Sequence, residues 1–339
     1  MSKVWNIAVV GATGAVGGQV IECLDERAFP VGKIKYLASA RSAGEALEFK
    51  GKAVLVEELT HDSFEGIDIA FFSAGEECAR EFCPAAARAG AVCVDTSGAW
   101  RMDEAVPLVV PEVNPHVIAR YTGKGIIASP SAVATQLVMA LNPLHDHAAV
   151  ERVVVSTYEA ASGAGRKAVD ELQQQIVDLL QGKSPACTVH PHQVAFNCLP
   201  QVAAFGDNGY TGEEMQIASE TGKVLEADVR ITATAVRVPV FYGHSAAVNV
   251  QTAKKITAEK ARELLEGAPG VELADDPADG VYPMPTDAVG QDLVLVGRVR
   301  EDASAENGLN LWVVADNIRK GAATNVVQIA EILIGQYLK

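Results

Sequence analysis

An apolar run that breaks on glycine constrains this chain more than any other feature. Asn6-Ile-Ala-Val-Val10 is followed at once by Gly11-Ala12-Thr13-Gly14-Ala15-Val16-Gly17 and then by a helical pattern to Glu26. A strand, a tight glycine turn and a helix in that order open a βαβ unit. The glycines allow the turn and let backbone approach a pyrophosphate. The helix N-terminus offers N–H groups and a positive dipole end to it. The spacing is Gly-x-x-Gly-x-x-Gly, and a βα turn with no ligand would also use glycines. The strand–turn–helix context favours nucleotide binding through Gly11, Thr13, Gly14, Ala15 and Val16.

The rhythm continues through the first third. Ile34–Ala38, Ile67–Ser73 and Ala91–Asp95 read as strands, and Glu76–Ala89 as a helix. This predicts a doubly wound, Rossmann-type α/β domain. Further on, Val153–Tyr158, Val229–Val240, Ser245–Val250, Leu293–Arg300 and Leu309–Ala315 read as long strands. Gly165–Gln181 reads as a helix with Val169, Leu172, Ile176 and Leu179 on one face. That pattern predicts a second, α+β domain. The expected division is 1–130, then 131–319, with an amphipathic C-terminal helix in 320–339 returning to the first domain.

With 339 residues the chain is long enough for two such cores. Lys and Arg number 28 against 43 Asp and Glu, a formal net charge of -15, which argues against nonspecific nucleic-acid binding and against an anionic membrane surface. A few arginines still suffice for a local anion pocket. The six cysteines form no Cys-x-x-Cys pair and read as reduced thiols of a cytoplasmic protein. No signal-peptide pattern and no membrane-spanning apolar run are read. No metal set is read either. His190 and His192 fall in a polar loop where no nearby Cys or acid completes a metal set, and His145 and His147 are expected after a helix.

The second strand ends in Leu37-Ala-Ser39-Ala-Arg41-Ser42, with hydroxyls and an arginine where a cofactor lacking a 2′-phosphate is usually matched by an acid. NADP is therefore the expected cofactor.

Several segments together resemble the aspartate-semialdehyde dehydrogenases. Ile126-Ile-Ala-Ser129-Pro130-Ser131-Ala132-Val133-Ala134-Thr135-Gln136 is similar to that family's active-site loop, Ile-Ile-Ala-Asn-Pro-Asn-Cys-Ser-Thr-x-Gln, without a gap. The Asp95–Arg101, Pro107–Asn114, Ser156–Gly165, Ala195–Pro200 and Asp207–Met215 segments match further blocks. Arg237-Val-Pro-Val-Phe-Tyr-Gly-His244-Ser is the most specific of them. The resemblance implies a homodimer or homotetramer that reduces aspartyl-4-phosphate to the semialdehyde with NADPH in amino-acid biosynthesis. It implies His244 as acid and base, Arg237 on a substrate carboxylate, Arg101 and Asn114 on the phosphate side, and Glu213 on the substrate ammonium. It further implies Ser73, Ala74, Gly75, Ser162, Gly163, Asn317 and Asn325 along the cofactor.

Four positions depart from the pattern. Ala132 stands in the place of the cysteine nucleophile, and a methyl group cannot attack a carbonyl. Ser131 stands for an asparagine, Glu159 for a substrate-binding glutamine and Gln216 for a lysine. Cysteine-less relatives of the family resemble this chain. Three alternatives to the family reaction stay open: a non-catalytic NADP-binding paralogue acting by association, a carbonyl reductase using His244 as acid, and Ser131 as a substitute nucleophile.

Overall fold

The computed structural model describes residues 3–338; Met1, Ser2 and Lys339, which the expected domain ranges include, lie outside them. The chain divides into two compact units, residues 3–131 with 322–338, and residues 132–321.

The first unit is built on a seven-stranded sheet. In chain order it runs β1 (Trp5–Val10), α1 (Ala15–Glu26), β2 (Val31–Ala38), β3 (Ala46–Phe49), β4 (Lys52–Glu58), β5 (Ile69–Phe72), α2 (Glu76–Arg88), β6 (Val92–Asp95) and β7 (Ile126–Ala128). The strand order is β3-β4-β2-β1-β5-β6-β7. β1, β5 and β6 are almost wholly buried, as strands of a parallel sheet covered on both faces must be. Connections run from β1 outward to β2 and then back past β1 to β5, so the sheet has its switch point at β1, where doubly wound sheets bind ligands. β3 and β4 form an antiparallel hairpin closed by Lys50 and Gly51, both at positive φ. Neither strand of this hairpin is among those expected from the sequence, since Lys50 is not a residue type that favours positive φ.

The second unit opens with α3 (Ala132–Ala148). It continues through β8 (Val150–Glu159), α4 (Arg166–Leu180), α5 (Gly212–Leu225), β9 (Arg230–Arg237), β10 (His244–Thr252), α6 (Ala258–Glu266), β11 (Val271–Leu273), α7 (Pro285–Ala288), β12 (Val294–Glu301) and β13 (Gly308–Ala315). Its mixed sheet has the order β11-β12-β13-β10-β8-β9. β10 runs antiparallel to β8 and β13, while β9 runs parallel to β8. α3 packs across β8, β10, β12 and β13, and α5 across β9. Val153, Val155, Thr157 and Glu159 are buried on the helix-covered face, and Val154, Ser156 and Tyr158 lie on the other, more open one.

The helices of this unit are more numerous than the strand-rich sequence pattern suggests. α5 begins with a capping box: the Thr211 hydroxyl accepts from Glu214 N–H, and the Glu214 carboxylate accepts from Thr211 N–H. His145 and His147 fall within the last turns of α3 rather than after it, and His145 Nδ1 accepts the Val150 N–H at 3.1 Å. The chain then returns to the first unit as α8 (Thr324–Ile332), whose Val326, Val327, Ile329 and Ala330 join the core around Val20, Cys23 and Leu24. Arg27 holds Glu331 through Nε and Nη2, at 2.9 and 2.7 Å.

Candidate active site

In the first unit the ends of β1, β2 and β5 converge. Gly11 has φ +83, and its N–H donates to Leu37 O at 2.8 Å. A Cβ on Gly11 would stand 2.9 Å from the Ser73 carbonyl carbon, and one on Gly17 only 2.1 Å from Gly11 O. Both glycines are therefore required by close backbone packing. Gly14 precedes α1 with no side-chain cap, leaving the first turn to meet a ligand. Ser39 and Arg41 are exposed in the turn after β2, which the Ser42 N–H closes onto Ser39 O, and Ser42 itself is buried. Ser73 spends its hydroxyl on Val10 O, so its backbone, with Ala74 and Gly75, is what it offers. Thr13, Ala15 and Val16 lie in the turn and the first helical positions. A glycine cradle, an uncapped helix and an exposed serine–arginine turn at the sheet's switch point fit a dinucleotide.

Farther along the same edge, Arg101 is buried and anchored by carbonyls. Its Nε donates to Ser129 O at 3.0 Å and its Nη2 to Thr96 O at 2.7 Å. Asn114 is committed to its own loop, donating to Leu108 O and accepting from Val110 N–H. Its amide holds the loop rather than projecting from it. Asn325 is likewise inside the unit, donating to Val109 O and to the Ser129 hydroxyl.

In the second unit strand register brings three side chains together. Glu159 is paired with Arg237 across β8 and β9. His244 begins β10 one step beyond the Ser245–Tyr158 pair, so it flanks Glu159 on the other side. All three are buried on the helix-covered face. Arg237 Nη1 lies 3.7 Å from Glu159 Oε2, and His244 Nε2 lies 3.9 Å from the same oxygen. Glu159 Oε1 accepts the Thr157 hydroxyl at 2.9 Å, and Arg237 Nη1 donates to Ala160 O. Arg237 Nε is buried with no acceptor, so the site lacks one hydrogen-bond partner that a ligand oxygen would supply.

Gly163 closes this cluster. A Cβ there would stand 2.8 Å from Arg237 Nη1 and 3.0 Å from His244 Nε2. Asn317 Oδ1 accepts from the Ser162 hydroxyl and from Gly243 N–H, both at 3.0 Å, and so ties the Gly163 turn to the start of β10. Ser162, Gly163 and Asn317 thus stand with the arginine–histidine cluster of the second unit.

The electrostatics follow from burial. Burial, and then the Arg237 charge, hold His244 down at about 3, so its ring is neutral near pH 7. Nδ1 accepts the Ala160 N–H at 3.1 Å, which places the neutral ring's single proton on Nε2. That N–H faces Glu159 and Gly163, so His244 presents a neutral donor. Burial pushes Glu159 upward, against the opposing pull of Arg237 and the Thr157 hydroxyl. Glu213 and Gln216, three residues apart on α5, are half-buried, and the Glu213 charge acts on Arg237. Thr157 and Ala160 escaped sequence reasoning. Thr157 was signalled by its place two residues before Glu159 on a strand, whereas the role of Ala160 is carried by backbone alone.

Ala132 is the first residue of α3, half-buried, and Ser131 before it is buried. A Cβ on Gly321 would stand 2.6 Å from the Ala132 methyl, so the two positions lie against each other. One turn on, Gln136 is buried with neither amide atom partnered. A helix start would stabilise a thiolate at position 132, and the side chain there has no group to use that field.

Elsewhere in the unit an acid accompanies His190. Glu171 Oε1 lies 2.9 Å from His190 Nδ1. Among the described residues no group of three or more His, Cys, Asp or Glu side chains is placed to hold a metal ion.

Two family models match: "Semialdehyde dehydrogenase, NAD binding domain" over residues 6–121 and "Semialdehyde dehydrogenase, dimerisation domain" over residues 141–320. The aspartate-semialdehyde dehydrogenase of Aquifex aeolicus is 50% identical over 337 residues, 98% of this chain and 99% of that protein. The chain belongs to the aspartate-semialdehyde dehydrogenase family. Aspartate-semialdehyde dehydrogenase 2 of Vibrio cholerae is 47% identical over 99% of this chain and 100% of its own. A crystal structure of aspartate semialdehyde dehydrogenase II from Vibrio cholerae, complexed with ASA, superposes with a TM-score of 0.97 at 47% identity, covering 99% of this chain and 100% of that one. The family's nucleotide-binding model matches the glycine-turn unit, and its dimerisation model spans Glu159, Arg237 and His244.

Proposed function

We propose that this chain is an aspartate-semialdehyde dehydrogenase-type oxidoreductase of the cytoplasm. Its first unit binds NADP(H), and its second holds an aspartate-derived ligand. The reaction of the type is NADPH-dependent reduction of aspartyl-4-phosphate to aspartate semialdehyde. The observation that carries this reading is the buried cluster of Arg237, His244 and Glu159 at the ends of three neighbouring strands, with Arg237 Nε lacking an acceptor. Arg237 suits a ligand carboxylate, because a guanidinium matches that group's geometry. Glu213 suits an ammonium, and Arg101 suits a phosphate. Ser39, Arg41 and Ser42 at the end of β2 favour the 2′-phosphorylated cofactor. When bound, that cofactor supplies or accepts the hydride.

Ala132 changes how such a reaction would run. No thiolate is available at the start of α3 to form a thioester, and His244 has no thiol proton to take. Its Nε2–H is instead suited to polarise a carbonyl oxygen while hydride moves directly, the role of a neutral histidine donor. This favours a carbonyl reductase as a second reading. A chain that binds NADP without turnover, acting as an oligomeric subunit, is the third.

The open face of the second unit's sheet supports a homodimer or a larger homo-oligomer. The Tyr158 and Trp312 rings meet there in a tilted contact, centroids 5.3 Å apart, and a hollow of about 360 Å³ beside them is lined by Tyr282, Met284, Pro285 and Trp312. Exposed apolar surface of this kind marks association sites.

The test is phosphate-dependent NADPH formation from aspartate semialdehyde and NADP by the purified chain, with His244→Ala as the blank and nucleotide binding measured alongside. Weak turnover is expected, at least about 10³-fold below a cysteine enzyme, by analogy with the removal of other catalytic nucleophiles. Activity unchanged in the blank sinks the role of His244. Tight NADP binding with no turnover of any aldehyde favours the non-catalytic reading.

A further inference from the structure

We propose that Glu159 is a built-in counter-carboxylate that gates Arg237, so that the pocket of the second unit accepts a ligand carboxylate only when Glu159 is protonated or replaced by a neutral residue. The inference rests on the reading of that pocket as the site for an aspartate-derived ligand.

Glu159 and Arg237 lie in register on adjacent strands, both buried, with carboxylate and guanidinium 3.7 Å apart. The pair is close enough to neutralise yet too long for a hydrogen bond, and Arg237 Nε is left without an acceptor. Arg237 is thus electrically satisfied but not hydrogen-bonded to capacity. A ligand carboxylate docking on it would meet a second carboxylate around one cation, and two like charges sharing a buried site cannot both stay ionised cheaply.

The other groups facing this point do not relieve the conflict. His244 on β10 is neutral and adds no positive charge. Thr157 on β8 donates a neutral hydroxyl. From α5, Glu214 acts on Glu159 and Glu213 acts on Arg237, both as further negative charge. Protonating Glu159 removes the conflict and leaves a neutral side chain the shape of glutamine. Burial and Glu214 favour that protonation, which Arg237 and Thr157 oppose. Bound ligand and bound proton are then linked, so affinity falls by up to about tenfold for each pH unit above the Glu159 midpoint.

The experiment is calorimetric titration of the intact, NADP-saturated chain with 2-aminobutyrate between pH 5.5 and 8. This probe carries an α-carboxylate and an α-ammonium and no reactive carbonyl. Affinity in the native chain is expected to weaken as pH rises. Glu159→Gln is expected to bind at least about tenfold more tightly at pH 8 and with a flat pH profile. His244→Asn is expected to keep the native slope. The proposal is overturned if Glu159→Gln gains no affinity at pH 8, or if its slope survives, or if the slope vanishes in His244→Asn. Affinity that strengthens with rising pH overturns it too, since ionised Glu159 would then be an ammonium site. If neither protein binds the probe at any pH while NADP still binds, both the gate and the reading of the pocket fail. Equal, pH-independent binding by both defeats the gate alone.

Discussion

At the residue scale, two side chains govern what this molecule can do chemically. Ala132 occupies a helix start, where backbone N–H groups favour a thiolate, and brings only a methyl. His244 is held as a neutral ring by burial, and the Ala160 N–H on Nδ1 fixes its proton on Nε2. Restoring the sulfur at position 132 is therefore expected to restore part of the family reaction. Ala132→Cys should gain phosphate-dependent NADPH formation yet remain at least about tenfold below the triple variant that adds Glu159→Gln and Gln216→Lys, since one good ionic or hydrogen-bonded contact is worth about tenfold or more. Equal rates in the single and triple variants would show that the charges around Arg237 and on α5 do not limit the reaction.

At the scale of elements, a hydrogen-bonded loop packs beside the second unit's cluster. Glu171 on α4 clamps the segment after it. Its carboxylate accepts from the N–H groups of Thr188, Val189 and His190, from the Thr188 hydroxyl, and contacts His190 Nδ1. Burial alone would raise this carboxyl, but the hydrogen bonds from Val189, His190 and Thr188 win and hold it at about 2, below its ordinary 4.5. A folded-state value below the unfolded one means that the clamp stabilises fully above about pH 4.5. That contribution is lost as pH falls toward 2. Thermal melts should show Glu171→Gln less stable than the native chain at pH 7 and the difference shrinking between pH 5 and pH 3. A difference that stays constant with pH would mean that the carboxylate charge contributes nothing. The segment after Glu171 reaches Val194 and Ala195, which pack with Leu172 and the Ala161 turn beside the cluster.

At the scale of the whole molecule, the second unit leaves one face of its sheet half-open, with Ser156 at the centre of the β10-β8-β9 strip, opposite Ala247 and Thr234. If that face joins two copies, Ser156→Arg should yield particles of one-chain mass by light scattering, with the melt of each unit retained. An unchanged mass would place the association elsewhere. Part of both units was legible in the sequence. Gly11, Gly14 and Gly17 announced the turn, because backbone that must approach backbone admits only glycine, and the alternating runs announced the strands through their period. The motif around Arg237 and His244 marked a site because its residue types are costly to bury without a purpose. Local sequence did not reveal that β9 runs parallel to β8 while β10 runs antiparallel. Nor did it show that this register sets Glu159 between Arg237 and His244, or that an alanine N–H decides which ring nitrogen bears the proton. Asn114 and Asn325 bear the side chains of ligand-binding residues, yet their amides are consumed by Leu108, Val110, Val109 and Ser129, which lie near them only in the folded chain. Local pattern by itself determined the fold class and the inventory of reactive groups, since both depend on periodicity and residue chemistry. Only the tertiary structure decided which of those groups meet, and in what charge state, because strand pairing and burial are properties of residues far apart in the chain.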